Sequence, residues 1–388
     1  MADPNFIPFC RPTIEDDEIA SVVETLRSGW ITTGPKVVAF EQAFRELARS
    51  PQAVALNSAT AGLHVALAAM GVGPGTEVVT TSMTWPSTVN MIELLGARPV
   101  FADVHAGTLL IDAEDVRRRI TPRTRAVVPV HFAGQPADLD ALEAAAGSVP
   151  ILEDAAHAVG TEYRGGHIGS RGHAAVFSFH PIKNITTGEG GMVTCHDDAF
   201  ADRLRTLRFH GVSKDAWNRY GRTGSARYEV VEPGWKYNML DLQAALGVVQ
   251  LKKAARFNAA RAEIAARYGD AFASVDEIRP LAIVDYPHVH AWHLYIVRLD
   301  VARAGIDRDA FISELAREGV GAGLHFTPVH GHKYYREKYG FRPGDLPHTE
   351  AAGEQILSLP LYPLLTEEHR VRVVEAVKAI LRRHAPRG

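Results

Sequence analysis

A single lysine, Lys183, lies between a short apolar run and a turn rich in threonine and glycine, in the segment FSFHPIKNITTGEGG at residues 177–191. A lone lysine most often extends its ammonium into water, so Lys183 by itself indicates no chemistry. Asp154 changes this interpretation, because it ends the apolar run VPILED upstream of the lysine. Pyridoxal phosphate needs an amine that forms a Schiff base and a carboxylate that keeps the pyridine nitrogen protonated. The pair therefore points to that cofactor, and a helix cap is the structural alternative for Asp154.

Glycine-rich segments in the chain fit nucleotide-binding loops poorly. The run GVGPG at residues 71–75 lies between a predicted helix and the following strand, whereas a dinucleotide-binding loop follows a strand and opens a helix. A Walker-type phosphate loop carries its glycines before the lysine, but Lys183 precedes Gly188, Gly190 and Gly191. We therefore interpret residues 71–75 as a helix stop with a turn, and we reject an ATP-binding loop.

Composition and charge exclude several classes of function. The 388 residues are 46% hydrophobic and carry a formal charge of -3 without a long basic run, so nucleic acid is not an expected partner. Cys10 and Cys195 are the only cysteines, which argues against a disulfide framework and a cysteine-zinc site. No signal-peptide pattern or membrane-length apolar stretch occurs, so we expect a soluble, cytoplasmic protein with no membrane partner.

The spacing of apolar residues along the chain predicts the helices and strands that must position Lys183 and Asp154. A helix is predicted over residues 16–30, and from residue 53 to residue 179 short β-branched runs alternate with helical patterns. This alternation is typical of a mainly parallel sheet covered on both faces, in which ligands bind beyond the carboxyl ends of the strands. Residues that follow the runs directly are therefore candidates for the site, namely Asn57, Trp85, His131, Asp154 and His180.

The pattern changes after Cys195. A helix is predicted over residues 197–211 and a long amphipathic helix over residues 242–272, after a polar connection at residues 212–234. The remainder contains the strand-like runs HLYIVRL and GAGLHF, with helices near residues 308–318 and 367–382. We predict a large α/β domain over residues 1–250, including the N-terminal helix, and a smaller α+β domain over residues 251–388.

Seven segments in order resemble the DegT/StrS family of sugar-nucleotide aminotransferases, and the resemblance extends from about residue 6 to about residue 382. They are SGWITTGP, NSATAGLH, TWPSTVNMIELLGARPVFADV, PVHFAGQPADLDAL, EDAAHAVGTEYRG, FSFHPIKNITTGEGG and WKYNMLDLQAALG. The resemblance implies the fold-type I, aspartate-aminotransferase-like architecture of pyridoxal phosphate enzymes, and a homodimer with shared active sites. The tail segments are most similar to enzymes that make UDP-4-amino-4-deoxy-L-arabinose, a sugar that modifies lipid A.

The resemblance also implies roles for single residues that hold the cofactor ring. Lys183 matches the lysine that forms the Schiff base and moves the proton, and Asp154 matches the carboxylate at the pyridine nitrogen. His157 matches a position near the cofactor ring oxygen, with a packed core histidine as the alternative. Trp85 matches an aromatic residue that stacks on the pyridine ring, with a core anchor as the alternative.

Further matched residues concern the cofactor phosphate and the sugar. Thr60 and Ala61, at a helix start where free amides attract a dianion, match the amide donors to the phosphate. Ser178 matches a hydroxyl donor, and Asn238 matches an asparagine that reaches the phosphate from the partner subunit. His325 is interpreted as a wall of the sugar pocket or as a structural residue.

We predict no metal site. The histidines at residues 288–293 alternate along a strand-like run, no HExxH spacing occurs, and the cofactor already supplies the electrophile.

The predicted function is transfer of an amino group from glutamate to a keto sugar nucleotide, most simply a 4-keto UDP sugar, through the pyridoxamine phosphate form of the cofactor. The amino sugar would enter lipid A, lipopolysaccharide or another cell-surface glycan. One alternative is the sugar dehydrase of the same family, which carries histidine in place of the lysine, and another is a non-catalytic regulator. The polar connection at residues 212–234 departs most from the pentose enzymes, so a hexose product is also consistent with the sequence.

Overall fold

The computed structural model describes residues 5–212 and 228–384. Strands in this part of the chain are β1 (Gln52–Leu56), β2 (Glu77–Thr81), β3 (Arg98–Ala102), β4 (Thr124–Val128), β5 (Leu152–Asp154), β6 (Glu162–Tyr163), β7 (Gly166–His167), β8 (Ala174–Ser178), β9 (Gly191–Cys195), β10 (Ile278–Pro280), β11 (His288–Val289), β12 (Tyr295–Leu299) and β13 (Ile356–Leu359). Helices are α1 (Asp16–Ser28), α2 (Pro35–Ala48), α3 (Ala59–Ala69), α4 (Pro86–Leu94), α5 (Ala113–Arg119), α6 (Leu139–Ala146), α7 (Asp198–Leu207), α8 (Asp241–Phe272), α9 (Val301–Ala304), α10 (Arg308–Arg317), α11 (Lys333–Tyr339), α12 (Pro347–Gln355) and α13 (Glu367–His384).

A large, mostly parallel sheet has the strand order β3-β2-β4-β5-β8-β9-β1. Hydrogen-bonded ladders give the groups β3-β2-β4 and β5-β8-β9-β1, and parallel bridges between Val127 and Ile151 and between Val130 and Asp154 join them. Strand β9 is antiparallel to both of its neighbours. Because β5 and β8 are adjacent and parallel, their carboxyl ends lie side by side. This adjacency brings the two parts of the sequence that contain Asp154 and Lys183 together.

Both faces of the large sheet are covered, as the near-continuous apolar strands require. Strand β1 illustrates the packing, because Ala53 and Ala55 contact one apolar core while Val54 and Leu56 contact the other. Alternate residues of a strand point to opposite faces, so each face of β1 is buried against a separate layer of helices. The predicted α/β architecture is confirmed.

A second, antiparallel sheet of β10, β12 and β13 lies in the C-terminal part of the chain. Its core includes Phe311 and Val377, and α8 contributes Tyr268 and Phe272 to it. The N-terminal half of the same helix packs Leu251 and Phe257 into the core of the large sheet. Helix α8 therefore serves both cores, and the predicted domain division near residue 250 falls inside it and stays a prediction.

The strand-like run GAGLHF is not a strand in the structure. It forms one isolated bridge, between Gly323 and Ser358, and β13 supplies the strand next to β12. The two glycines of the run make space for other groups. A Cβ on Gly321 would lie 2.9 Å from the backbone nitrogen of Phe9, and a Cβ on Gly323 would lie 2.7 Å from the His325 ring. Alternation of small and apolar residues here reflects close packing against the N-terminal segment.

The chain on either side of residues 213–227 is tied together. Val212 and Val230 form an antiparallel bridge, and the Val231 amide donates to the Gly211 carbonyl oxygen at 2.8 Å. Residues 212 and 230 therefore lie side by side in the described structure. Within the described residues, no helix combines the length and the apolar composition needed to cross a membrane.

Two glycines of α8 give a prediction about helix packing. A Cβ on Gly247 would lie 2.7 Å from the Phe40 ring of α2, whereas a Cβ on Gly269 would meet nothing within 4 Å. We expect Gly247→Ala to lower the free energy of unfolding by about 1–3 kcal/mol through overpacking. Gly269→Ala should raise it by about 0.5–1 kcal/mol, because alanine favours the helix. Urea unfolding of both variants checks the pair, and a stabilised Gly247→Ala protein would contradict the packing.

Candidate active site

A cavity of about 430 Å³ lies at the carboxyl edge of the large sheet. It is bordered by the start of α3, the β2–α4 junction, the end of β5, the turn after β8 and the segment at residues 324–326. Of the nine residues predicted for the site, those lining this cavity are Thr60, Trp85, Asp154, His157, Ser178, Lys183 and His325. Ala61 and Asn238 lie outside the lining.

Position after a strand predicted the edge of the sheet but not the direction of each side chain. Of the five candidates, Trp85, Asp154 and His180 line the cavity, whereas Asn57 and His131 do not. The His131 ring is buried away from it, with Nε2 2.8 Å from a carboxylate oxygen of Glu153. The Ala137 amide donates to the other nitrogen, Nδ1, at 3.0 Å. Both nitrogens of His131 are therefore engaged inside the fold.

Asp154 is buried at the end of β5, and two donors hold its carboxylate. Thr88 Oγ1 donates to Oδ2 at 2.7 Å, and the Ala156 amide donates to Oδ1 at 3.2 Å. Burial raises the pKa of Asp154, while these hydrogen bonds and the Lys183 ammonium oppose the increase. No helix begins directly after Asp154, because the next elements are β6, β7, β8 and β9, so the helix-cap alternative is wrong. Thr88 was not predicted, although it stands in TWPSTVN, one helical turn after Thr84.

Lys183 follows β8 in a turn, and its side chain lies within the cavity. Burial lowers the pKa of the Lys183 amine to about 8, and the negative charge of Asp154 opposes this decrease. An amine with this pKa exchanges its proton near neutral pH, which a nucleophile and proton carrier requires. The surface-lysine alternative does not describe Lys183.

His157 stands beside a second buried imidazole, His293, which the sequence analysis considered only for metal binding. The His157 ring centroid lies 4.3 Å from that of His293, and Phe326 stacks on it at 5.9 Å. Burial lowers the pKa of both imidazoles well below the usual value. The His157 Nδ1 atom is buried without a hydrogen-bond partner in the described chain. The residue thus presents a neutral ring to the cavity.

The start of α3 offers backbone amides to the cavity. Ser58 caps the helix, and its Oγ accepts from the Ala61 amide at 3.1 Å, so that amide is already engaged. Thr60 lines the cavity within the first helical turn. A Cβ on Gly191 would lie 2.5 Å from the Ser58 carbonyl, which explains the glycine at the start of β9. Ser178, the last residue of β8, turns its hydroxyl to the same region and accepts weakly from the His180 amide at 3.5 Å.

Trp85 is 63% exposed at the mouth of the cavity, so the core-anchor alternative is wrong. It is the N-cap residue of α4, and its ring centroid is 6.0 Å from that of Phe326. An indole in this position offers a flat apolar surface to a planar ligand.

Asn238 lies in the segment before α8. Its Nδ2 donates to Thr33 Oγ1 at 2.6 Å, and its backbone forms a bridge with Leu56. It is buried and does not line the cavity of its own chain. Its predicted role in the site of a partner subunit stays a prediction.

The histidines considered for metal binding are dispersed in the described structure. His288 Nδ1 contacts the Tyr286 carbonyl, His290 stacks on Trp292, and His293 lies beside the His157 ring. In the described residues, the acidic and histidine side chains close enough for shared coordination are Glu15, Asp17 and Glu18. Lys253 forms ion pairs with all three of these carboxylates, and two of the pairs measure 2.7 and 2.8 Å.

The groups around the cavity fit pyridoxal phosphate by their chemistry. Lys183 supplies an amine, Asp154 a buried carboxylate for a protonated ring nitrogen, and Trp85 a surface for a planar ring. The unpartnered His157 nitrogen and the start of α3 add a polar ring neighbour and an anion site. The residues present therefore match each part of the cofactor.

Three buried imidazoles predict acid sensitivity of the cofactor-free fold. Burial lowers the pKa of His325 to about 3, and it lowers those of His157 and His293 strongly. Because an unfolded imidazole titrates near pH ~6.5, stability is complete above that pH and is lost as the pH falls toward the folded-state value. In that window, each histidine lowers the free energy of unfolding by about 1.4 kcal/mol for each unit that the pH falls.

Urea unfolding of cofactor-free protein between about pH 7.5 and about pH 5.5 measures this slope. His325→Gln should reduce the slope, whereas the same change at His105, which is 57% exposed, should leave it unaltered. Equal slopes for wild type and His325→Gln would contradict the assignment.

Comparison with known proteins agrees with this chemistry. The model of the DegT/DnrJ/EryC1/StrS aminotransferase family matches residues 12–378. Spr1654 from Streptococcus pneumoniae, solved in a PLP form and a PMP form, is 34% identical, with 97% of this chain and 99% of that chain covered in the PLP form and a TM-score of 0.89. The aminotransferase TlmJ from Streptoalloteichus hindustanus has the same identity, coverage and TM-score.

The sugar aminotransferase CalS13 from Micromonospora echinospora is 30% identical, with 96% of this chain and 99% of that chain covered and a TM-score of 0.86. These likenesses confirm the predicted aminotransferase-like fold and the transaminase class. The chain therefore belongs to the DegT/DnrJ/EryC1/StrS aminotransferase family.

Proposed function

We propose that this protein transfers an amino group from glutamate to a keto sugar nucleotide, with pyridoxal phosphate as its cofactor. The single observation that carries the proposal is that Lys183 and Asp154 line one cavity at the carboxyl edge of the large sheet. The PLP and PMP forms of the S. pneumoniae protein support the cofactor, and the likeness to the sugar aminotransferase CalS13 supports the sugar substrate.

When bound, the cofactor supplies an electron sink that accepts the electron pair released at the reacting carbon. Lys183 Nζ, with a pKa of about 8, takes and returns the proton at that carbon. Asp154, fixed by Thr88 and the Ala156 amide, holds the positive charge of the ring nitrogen. Trp85 orients the ring and covers it from water.

The nucleotide part of the substrate needs groups beyond this cavity. No arginine lines it in the part of the chain that the structure describes. The polar connection at residues 212–234, which departs most from the pentose enzymes, falls largely at residues 213–227, outside the described residues. A 4-keto UDP sugar remains the proposed substrate, and a cell-surface glycan such as lipid A or lipopolysaccharide the proposed destination.

We propose that the protein is a homodimer with shared sites. The three α1 residues Ile19, Val23 and Leu26 recur at helical spacing and are 54%, 36% and 54% exposed, so one face of the helix is apolar and uncovered. Trp30 and Ile31 extend this surface and are 48% and 47% exposed. Asn238 adjoins this surface, because its Nδ2 donates to Thr33 Oγ1, two residues after Ile31, so a second copy that covers the surface would lie close to Asn238.

Two alternatives to this proposal make different demands on the site. The sugar dehydrase differs in one residue, and a non-catalytic regulator does not need the site at all. The sugar dehydrase carries histidine where this chain has Lys183, so the lysine argues against it. A regulator without catalysis needs neither the low pKa of Lys183 nor a buried Asp154 next to it.

A first experiment tests the cofactor lysine and the donor. Purified protein should absorb as lysine-bound pyridoxal phosphate, and glutamate should bleach the band to the pyridoxamine form. Borohydride should fix the cofactor to wild type but not to Lys183→Ala, whereas Lys36→Ala, at a partly exposed site outside the cavity lining and paired with Glu24, should behave as wild type. Cofactor fixed in Lys183→Ala would contradict the choice of lysine.

A panel of 4-keto and 3-keto sugar nucleotides then identifies the acceptor, and failure with every member would contradict the proposed function.

A second experiment tests the shared site with mixed dimers. Lys183→Ala and Asn238→Ala chains, carrying different tags, should each be impaired alone. Their mixed dimer should recover about half of the wild-type activity, because one of its sites is intact. Lys183→Ala mixed with Asp154→Ala is the matched control, because each site then lacks one residue and activity stays absent. Full activity of Asn238→Ala alone, or no recovery in the mixed dimer, would refute the shared site.

A further inference from the structure

His325 is held in the cavity wall by contacts from two distant parts of the chain, and a glycine in its own segment makes room for the ring. Phe9 stacks on its ring with centroids 5.1 Å apart and planes 29° apart. Ser358 Oγ lies 2.9 Å from the ring nitrogen Nδ1. Gly323 leaves room for the ring, because a Cβ there would lie 2.7 Å from Cε1. These contacts fix both the plane of the imidazole and which edge of it faces the cavity.

Ser358 is fully buried in β13 and does not line the cavity. Its backbone is committed to the bridge with Gly323, with N–H···O distances of 2.8 and 2.9 Å in the two directions. The hydroxyl makes its hydrogen bond to His325, from a strand 33 residues further along the chain. The serine is therefore held rigidly and brings its hydroxyl to one nitrogen of the histidine.

We propose that Ser358 is a positioning residue for the sugar-binding step, acting through His325. Its hydroxyl occupies Nδ1 and leaves Nε2 as the nitrogen that meets the sugar. Without the hydroxyl, the ring would retain the Phe9 stack but lose the contact that holds its Nδ1 edge toward β13. This inference rests on the proposed function, because it names the residue that orients the wall of the sugar pocket.

The positions of the groups separate this effect from the donor step. Lys183, Asp154 and Thr88 are held by the large sheet and α4, and Ser358 contacts none of them. Amine transfer from glutamate to the cofactor should therefore be nearly independent of Ser358. Reaction with the sugar should depend on it.

The experiment measures the two half-reactions separately on the loaded enzyme. The probes are glutamate and the UDP-linked keto sugar that wild type aminates most efficiently in the panel described above. For Ser358→Ala, kcat/KM for the sugar should fall about five- to tenfold, mainly through KM, which is the range expected for one hydrogen bond. The rate of bleaching by glutamate should change less than about twofold. Ser358→Thr, which keeps the hydroxyl in a strand, should restore sugar kinetics.

The chain offers a matched control in a second buried serine–histidine pair. Ser82 Oγ lies 2.7 Å from His330 Nδ1, and neither residue lines the cavity. Ser82→Ala loses this contact and also the hydrogen bond that its hydroxyl accepts from the His330 amide at 2.9 Å, and it should still leave both half-reactions near wild-type values. A double-mutant cycle adds a second control, because Ser358→Ala should have no further effect on sugar kinetics in a His325→Ala background. If Ser358→Ala does not fold, Ser358→Cys, with a weakly bonding thiol of similar size, takes its place.

The outcomes distinguish the two proposals. A wild-type enzyme that aminates no sugar in the panel would overturn the proposed function. An active wild type with unchanged sugar kinetics in Ser358→Ala would overturn the inference alone. Equal losses in both half-reactions, or additive effects with His325→Ala, would do the same.

Discussion

Lys183 and Asp154 are opposite charges that share a buried cavity, and each makes the charge of the other tolerable. Burial lowers the pKa of the lysine and raises that of the aspartate, and their mutual attraction opposes both shifts. Removing either one leaves the other with an uncompensated buried charge. The arrangement of β5 beside β8, and the hydroxyl of Thr88 on the carboxylate, both serve to keep these two groups together.

The surroundings of this pair depend on residues that are small or uncharged. Gly191 lets β9 begin against the start of α3, and Gly323 lets the His325 ring lie between Phe9 and Ser358. Neutral imidazoles rather than cations stand near the lysine, so its ammonium form meets no additional repulsion from His157 or His325. The electrostatic balance of the site thus depends on the neutral state of the nearby imidazoles as well as on the charged pair.

Periodicity predicted most of the elements because the apolar strands and amphipathic helices each bury a defined face. The long helix predicted from residue 242 begins at Asp241, and the helix predicted over residues 16–30 ends at Ser28, before Gly29. The strand predicted for the run GAGLHF was wrong, because its alternating glycines are required by close packing and not by a strand. Strand β13 was not predicted because its four residues, three apolar and Ser358, follow α12 without a turn residue between them.

The candidate site was predictable where a charged or large aromatic residue lies at or soon after the end of an apolar strand, as with Lys183, Asp154 and Trp85. It was not predictable for Thr88 and Ser358, because a hydroxyl in a helix or strand gives no signal until its partner is known from the fold. His131 and Asn57 show a related difficulty. A strand end indicates the edge of the sheet, but the direction of the side chain there is set by partners distant in sequence, such as the Glu153 carboxylate for His131.

The bridge between Val212 and Val230 bears on how the described fold tolerates a change in chain length. Together with the hydrogen bond from the Val231 amide to the Gly211 carbonyl oxygen, it holds these two positions next to each other. Doubling the length of a flexible chain closed between two fixed points costs only about 0.6 kcal/mol in closure entropy. An insertion between two positions held in this way is therefore expected to cost little free energy, while Asp154 stays at the end of β5 and Lys183 in the turn after β8.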